Sequence, residues 1–145
     1  MNDALHVVCP HCHTTNRVKA QEMASAPDCG KCHQPLFNAH PVALDEAAFE
    51  RHLTRSQVPL VVDFWAPWCG PCRQMAPAYE QAAAQLEPQV RLAKINSDEA
   101  QALSARYNIR SIPTMVLFKG GQEAARQSGA MGQADIVRWV RANLR

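Results

Sequence analysis

The sequence predicts an α/β chain in which a mixed central sheet carries helices on both faces, preceded by a small cysteine-rich module. Three observations carry that prediction. A continuous apolar run, LVVDFW (60–65), and a second strand pattern, VRLAKIN (90–96), alternate with segments of helical periodicity, as the strands of a parallel unit do. A later run, TMVLFK (114–119), is followed across Gly120 and Gly121 by EAARQ (123–127), the pattern of a hairpin. Residues 1–36 hold four of the six cysteines and four of the six histidines but few large apolar side chains, so they read as a module too poor in apolar residues to build its own core.

Taken in order, the 1–36 module is joined by a linker, 37–41, to a domain spanning 42–145. VAL (42–44) is a short strand candidate. Asp45 is a plausible N-cap, and Phe49, His52 and Leu53 fall on one side of a helix reaching about Arg55. Pro59 punctuates, and LVVDFW follows as a central strand. A helix is expected from about Gly70 to Leu86, with Pro77 inside it removing an amide donor and bending the axis. After VRLAKIN, Asp98 begins a short helix to about Tyr107. The hairpin of 114–119 and 123–127 comes next. The segment from Ala134 to Leu144 closes the chain with an apolar stripe at Ile136, Val137, Val140 and Leu144. The resulting order is β-α-β-α-β-α-β-β-α.

Composition is that of a globular protein, 47% hydrophobic and 19% charged, and 15 basic against 13 acidic residues leave a formal charge of +2. In the first 36 residues Arg17, Lys19 and Lys31 offset Asp3, Glu22 and Asp28, so the basic stripe of a nucleic-acid reader is missing and no nucleic-acid partner is expected. No stretch approaches eighteen consecutive apolar residues, and MNDALHVVCPHC lacks the basic start and apolar core of an export signal. A cytoplasmic protein without a membrane partner, and a monomer, is therefore expected. In a reducing cytosol six cysteines favour thiols, metal thiolates or a cycling redox pair over structural disulfides.

Cys69 and Cys72, in WAPWCGPC, stand where a buried strand ends and a helix begins. The first cysteine there faces free amide groups and the positive end of the helix dipole, which favours thiolate over thiol. Such a thiolate can attack a disulfide, and the second cysteine, one turn on, can resolve the mixed disulfide. Gly70 and Pro71 shape the turn between them. Asp63 is an ionisable group inside a buried strand, six positions before Cys69, where burial would raise its pKa and let it accept the Cys72 proton. A strand-end Asp with a local hydrogen bond is the alternative. Lys94, inside the apolar strand LAKIN, is its expected partner, with a strand-edge lysine as the alternative. Ile112-Pro113 offers a candidate cis peptide bond before the third strand, against an ordinary trans turn.

DFWAPWCGPC, AKIN, RSIPT, LFKGG and SGA follow one another over about residues 42–145 in an order that resembles the thioredoxin family. The resemblance implies the thioredoxin fold, Cys69 as attacking nucleophile, Cys72 as resolving thiol and Asp63 with Lys94 as a buried proton-handling pair. It also implies a redox-active Cys69–Cys72 disulfide with no organic cofactor. Trp68, Gly70, Pro71, Ile112, cis-Pro113 and Gly129 would face the substrate. Two positions depart from the family pattern: Pro67 stands where many members carry an acidic residue, and Ser128 replaces the usual apolar neighbour of Gly129.

Cys9-x2-Cys12, sixteen intervening residues, then Cys29-x2-Cys32 is the spacing of a four-thiolate zinc site, each pair giving two sulfurs to one tetrahedral ion. His11, His13 and His33 read as neighbours of that site. Together the two parts resemble the zinc-ribbon branch of the thioredoxin family. This implies a protein-disulfide reductase fed by an NADPH-dependent thioredoxin reductase, with ribonucleotide reductase, peroxiredoxins or methionine sulfoxide reductases among its targets. Two other classes stay open: a disulfide oxidant or isomerase, and a binding module whose ribbon docks partners on a thioredoxin scaffold.

Overall fold

The computed structural model of the chain describes residues 4–145; Met1 to Asp3, the start of the 1–36 module, lie outside the described residues. The larger body is a five-stranded sheet built from β3 (Val42–Ala43), β4 (Leu60–Trp65), β5 (Arg91–Asn96), β6 (Thr114–Lys119) and β7 (Gln122–Ser128), in the order β3-β5-β4-β6-β7. β3 and β4 run parallel to β5, β6 runs antiparallel to β4, and β7 antiparallel to β6. Side chains alternate across each strand, so the two faces are populated by different residues. Leu60, Val62 and Phe64 of β4 pack with Ala93, Ile95, Val116 and Phe118 against α1 (Glu46–Arg55) and α3 (Gln101–Arg106), through Phe49, Leu53 and Leu103. Val61 packs on the opposite face with Leu92, Met115 and Leu117. There it meets α2 (Gly70–Leu86) and α4 (Gln133–Asn143) through Met75, Tyr79, Leu86, Ile136 and Val140.

The elements follow the sequence pattern with local differences. Asp45 caps α1, its Oδ1 accepting from the Ala48 amide at 2.7 Å. The first strand is two residues long because Leu44, after donating its amide to Lys94 O, hands the chain directly to that cap. The helix expected from Asp98 to Tyr107 is divided. A 3-10 turn covers Ser97–Glu99, and Ala100, buried in the core with φ −135° and ψ 54°, breaks the axis before α3 begins. Strand β7 runs one residue further at each end than the EAARQ pattern, pairing from Lys119↔Gln122 to Thr114↔Ser128.

The N-terminal ribbon is a hairpin of β1 (Ala4–Val8) and β2 (Thr15–Lys19) followed by a 3-10 segment, Ala20–Ser25. Its two Cys-x-x-Cys stretches make the same knuckle: the amides of His13 and His33 return to Cys9 O and Cys29 O, and both histidines adopt a left-handed backbone. Val7, Val18, Leu36, Cys9 and Cys29 are buried together, and Val58 of the larger body completes this cluster. The ribbon's core is therefore shared across a junction rather than self-contained.

Polar groups fasten that junction. Arg91, 2% exposed at the start of β5, donates from Nη2 to Val8 O at 3.0 Å, and its guanidinium lies over the Phe37 ring at 4.3 Å. Glu87 stands 3.9 Å from Arg91 and accepts from the amides of Ala39 and Leu92. His52 of α1 meets His13 of the ribbon at 3.3 Å, and burial, helped by Arg91 and His13, pushes its pKa down to about 3, so it packs as a neutral ring. Arg91→Ala would leave the Glu87 carboxylate and Val8 carbonyl buried without their cation. It is expected to destabilise the folded chain by about 3 kcal/mol, the scale of a broken buried ion pair. Denaturant unfolding reads this directly, and a loss below about 1 kcal/mol, the range of an exposed pair, would show that the junction holds without it.

Candidate functional site

At the carboxyl end of β4 the chain turns through Ala66 to Trp68 and enters α2. Cys69 is the N-cap of that helix, and its Sγ accepts from the Cys72 amide at 3.2 Å, with Pro71 in the first turn where no amide donor is needed. Cys69 and Cys72 are joined as a disulfide with their Cα atoms 5.3 Å apart. Once that bond is reduced, the N-cap position gives the Cys69 sulfur an amide donor and the positive helix end, both of which favour its thiolate.

The Ile112–Pro113 peptide bond is cis, and Ile112 O lies 3.8 Å from Cys69 Sγ. Gly129 donates its amide to Pro113 O at 2.9 Å with φ at 98°, a conformation that a side chain would strain. Trp68 is 69% exposed beside the disulfide, its indole N–H held by Asp98 Oδ2 at 2.8 Å. A groove of about 330 Å³ runs past Trp68, Arg110, Ser111 and Ile112. Ser128, next to Gly129, shares a 3.0 Å hydrogen bond with Thr114. Trp68, Gly70, Pro71, Ile112, Pro113 and Gly129 thus gather around one disulfide, although they come from three separated stretches of chain.

Strand alternation puts Asp63 on the face of β4 that packs against α2. There it borders a cavity of about 490 Å³ together with Cys72, Tyr79, Lys94 and Pro77. Asp63 is 4% exposed and its Oδ1 has no hydrogen-bond partner among the described residues. Burial raises its pKa to about 7 against a smaller lowering by Lys94. Lys94 is the cross-strand neighbour of Asp63, but it is not within ion-pair distance; its ammonium lies over the Trp65 ring, 5.3 Å from the centroid. Asp63, its pKa raised close to neutral pH, and Cys72 therefore border the same cavity.

Four sulfurs of the ribbon, from Cys9, Cys12, Cys29 and Cys32, lie within 4.8 Å of one another. A tetrahedral zinc ion with zinc–sulfur bonds of about 2.3 Å requires sulfurs about 3.8 Å apart. The Cys9–Cys32 and Cys12–Cys29 separations are both 3.6 Å, so the donor set fits. Burial alone would push the Cys29 thiol up. Amide donors from Cys32 and Lys31 and the Asn16 side chain reverse that and bring it down to about 6. Cys9, more enclosed, is pushed up to about 12 by burial, which is the cost of an anionic sulfur there without a cation. His11, His13 and His33 are outside this group of donors.

Sequence reasoning missed four contributors. Tyr79 follows Cys72 and Met75 on the buried stripe of α2, so periodicity marks it as core. Its hydroxyl, bonded to Ala93 O at 2.7 Å and Val61 O at 3.2 Å, becomes visible only once the sheet is assembled. Asp98, read as a helix start, holds Trp68. Arg91 and Glu87 fasten the ribbon, and an arginine at the head of an apolar strand was the one available signal.

The family model for thioredoxin matches residues 40–142, and the model described as "Thioredoxin 2, N-terminal" matches residues 8–34. Thioredoxin C-3 of Corynebacterium nephridii is 42% identical over 134 residues, 92% of this chain and 92% of its own. A thioredoxin of Rhodospirillum rubrum is 45% identical over 101 residues, 70% of this chain and 97% of its own. Thioredoxin 1 of Synechococcus elongatus is 42% identical over 95 residues, 66% of this chain and 89% of its own. With a disulfide at the head of α2, a cis proline against it and a four-cysteine ribbon ahead of the sheet, the chain belongs to the thioredoxin family and is a protein-disulfide reductase.

Proposed function

We propose that the chain carries electrons from an NADPH-dependent thioredoxin reductase to protein disulfides through Cys69 and Cys72. The observation that carries this reading is the asymmetry of the pair: Cys69 caps α2, while Cys72 opens onto the cavity shared with Asp63. Cys69 thiolate attacks one sulfur of the substrate disulfide, forming a mixed disulfide and releasing the other sulfur as a thiolate that takes a proton. Cys72, its proton accepted by Asp63, then attacks Cys69 Sγ, closing the Cys69–Cys72 bond and releasing the second substrate thiolate. Two electrons pass to the substrate and two return from the reductase. Trp68, Gly70, Pro71, Ile112, Pro113 and Gly129 present the substrate to the pair, and Lys94 acts on Asp63 as a neighbouring positive charge. Ribonucleotide reductase, peroxiredoxins and methionine sulfoxide reductases are the substrate classes proposed, in a reducing cytosol. No helix among the described residues is long and apolar enough to cross a membrane.

The division proposed is a ribbon at 1–36, a linker at 37–41 and the redox domain at 42–145. One zinc ion held by Cys9, Cys12, Cys29 and Cys32 supplies the positive charge that four clustered sulfurs, two of them buried, require. Peroxide can take four electrons from those thiolates, two equivalents giving two disulfides and water and releasing the ion. Mild peroxide is expected to release zinc and change rates toward a protein substrate while Cys69 and Cys72 still cycle. Zinc that survives doses oxidising the Cys69 pair would end the idea of a peroxide response. Insulin reduction with reductase and NADPH, run beside a zinc determination, tests the reading as a whole: turnover with one zinc per chain is expected.

Asp63→Asn is expected to slow reduction most at about pH 7 and just above, where the native carboxyl is deprotonated and can accept the Cys72 proton, and least at acid pH, where that carboxyl is already protonated. It should also stabilise the fold with a definite pH dependence. Because the folded carboxyl titrates near 7 and the unfolded one near 3.8, the folded state holds the extra proton between those values. Stability carried by Asp63 is therefore lost as pH rises through that window. The gain in the variant should be small at pH 4 and reach a few kcal/mol by pH 8, at about 1.4 kcal/mol per pKa unit. Thermal unfolding at the two pH values checks it, and an equal gain at both would show that Asp63 is not raised.

A further inference from the structure

The two knuckles of the ribbon are alike in backbone but differ in what reaches their leading cysteines. Cys29 Sγ accepts from the Lys31 amide and from Asn16 Nδ2, each at 3.4 Å, so the ribbon supplies donors for it from its own residues. Cys9 Sγ accepts from the His11 amide at 3.3 Å, and the charged side chain that reaches its backbone comes from the larger body. Arg91, at the head of β5, donates from Nη2 to Val8 O at 3.0 Å, and that carbonyl belongs to the peptide bond whose nitrogen is the Cys9 amide. The Cys9 amide in turn donates to Thr14 O at 2.9 Å, so the peptide leading into this cysteine is held on both sides. Arg91 and Cys9 are both buried, and Arg91 Nη1, 3.9 Å from Glu87 Oε2, has no hydrogen-bond partner among the described residues. A buried cation answered by one carboxylate at that distance is poorly compensated. Four thiolates around a divalent ion leave two negative charges in excess, and this cation stands against the peptide of one of them.

We propose that Arg91 is a positioning residue for the metal site of the ribbon: it orients Cys9 through the Val8–Cys9 peptide and supplies, from the larger body, positive charge that a four-thiolate site lacks. The inference rests on the reading of Cys9, Cys12, Cys29 and Cys32 as one zinc site, and adds that the affinity of that site is set in part outside the ribbon. Arg91 is not a ligand; it acts through Cys9. Burial pushes its pKa down to about 10, with Glu87 and Cys9 opposing, so it stays a cation at neutral pH. The Phe37 ring, 4.3 Å from the guanidinium carbon, covers one face of that cation. In such a poorly solvated setting a fixed positive charge lowers the energy of an anionic sulfur more than it would in water, and Cys9, the sulfur with no exposed surface, gains most. Linkage makes the effect reciprocal: metal in the ribbon strengthens the hold of Arg91 on Val8 by the same factor.

The test uses the full-length chain with the Cys69–Cys72 disulfide intact, as native protein, as Arg91→Lys, which keeps the charge and a donor for Val8 O, and as Arg91→Gln, which keeps the donor alone. Zinc affinity is read by competition with a chromophoric chelator, and the sulfur-to-cobalt charge-transfer band is read after loading with Co(II). Amide exchange in β4 and β6 on the same samples shows that the larger body is folded. Arg91→Gln is expected to bind zinc about ten- to a hundredfold more weakly, the range for outer partners of metal ligands, and Arg91→Lys to stay within about threefold of native. The cobalt band of Arg91→Gln should move to longer wavelength, because sulfur electrons that no nearby cation holds transfer more easily, while that of Arg91→Lys stays in place. Native affinity in Arg91→Gln, equal weakening in both variants, or an unmoved cobalt band overturns the proposal and leaves the zinc site standing. A native chain that takes up neither zinc nor cobalt overturns the four-thiolate reading itself, and the proposal with it.

Discussion

Cys69→Ser is expected to abolish disulfide reduction, and Cys72→Ser to stop the same cycle one step later. The first variant lacks the sulfur that the helix N-terminus prepares as a thiolate, so no mixed disulfide forms. Turnover should fall by about three orders of magnitude or more, the scale of losing a covalent nucleophile. The second retains that sulfur at the N-cap but has nothing within reach to resolve the bond it makes, so substrate should accumulate covalently on Cys69. Nonreducing electrophoresis and mass spectrometry after incubation with an oxidised protein separate the two outcomes. Equal trapping by both variants, or full turnover in either, would contradict the assigned order.

Removing the metal, or replacing a ligand as in Cys29→Ser, is expected to unfold the ribbon and leave the five-stranded sheet in place. Val7, Val18 and Leu36 with Val58 are too little apolar area to fold the hairpin, whereas metal binding contributes about 10–16 kcal/mol in comparable four-ligand modules. The larger body keeps two full core layers, one on each face of β4. Amide hydrogen exchange should therefore show protection lost across β1 and β2 and retained in β4, β5 and β6 after chelation. Insulin reduction should be largely unaffected. The junction contacts of Arg91 and His52 lie at the amino ends of β4 and β5 or on α1, while Cys69 follows the carboxyl end of β4, about 20 Å away at the rise of a six-residue strand. Protected β1 and β2 amides in the metal-free chain would mean that the junction alone holds the ribbon.

Local pattern made most of the sheet legible. LVVDFW and VRLAKIN became β4 and β5 because apolar β-branched runs of that length have few other fates, and Asp63 stood out as a charge where burial forbids an unpaired one. The position of Cys69 was legible for a similar reason: a strand end followed at once by a helical pattern fixes a cysteine at an N-cap. What stayed hidden depends on contacts between distant stretches. Ala100 breaks a helix that its local propensity would continue, since the core on the α1 side draws it inward. Lys94 is beside Asp63 in register, but its ammonium lies over Trp65, a choice made by the side chains around it rather than by spacing. Glu87 looks like an ordinary surface residue in one dimension; His52 shares a helix side with Phe49 and Leu53 and Arg91 heads an apolar strand, but the junction they form with the ribbon exists only when β1 is laid against α1 and β5.

Three Cys-x-x-Cys pairs doing two jobs is the central claim, and an anaerobic electron count tests it most directly. The full-length oxidised chain is titrated with NADPH and catalytic thioredoxin reductase while bound zinc is followed. The account expects two electrons per chain, taken up by the Cys69–Cys72 disulfide, with one zinc retained throughout and no uptake in Cys69→Ser. Uptake beyond two electrons, or zinc leaving as the chain is reduced, would place the ribbon cysteines in the redox cycle and contradict it.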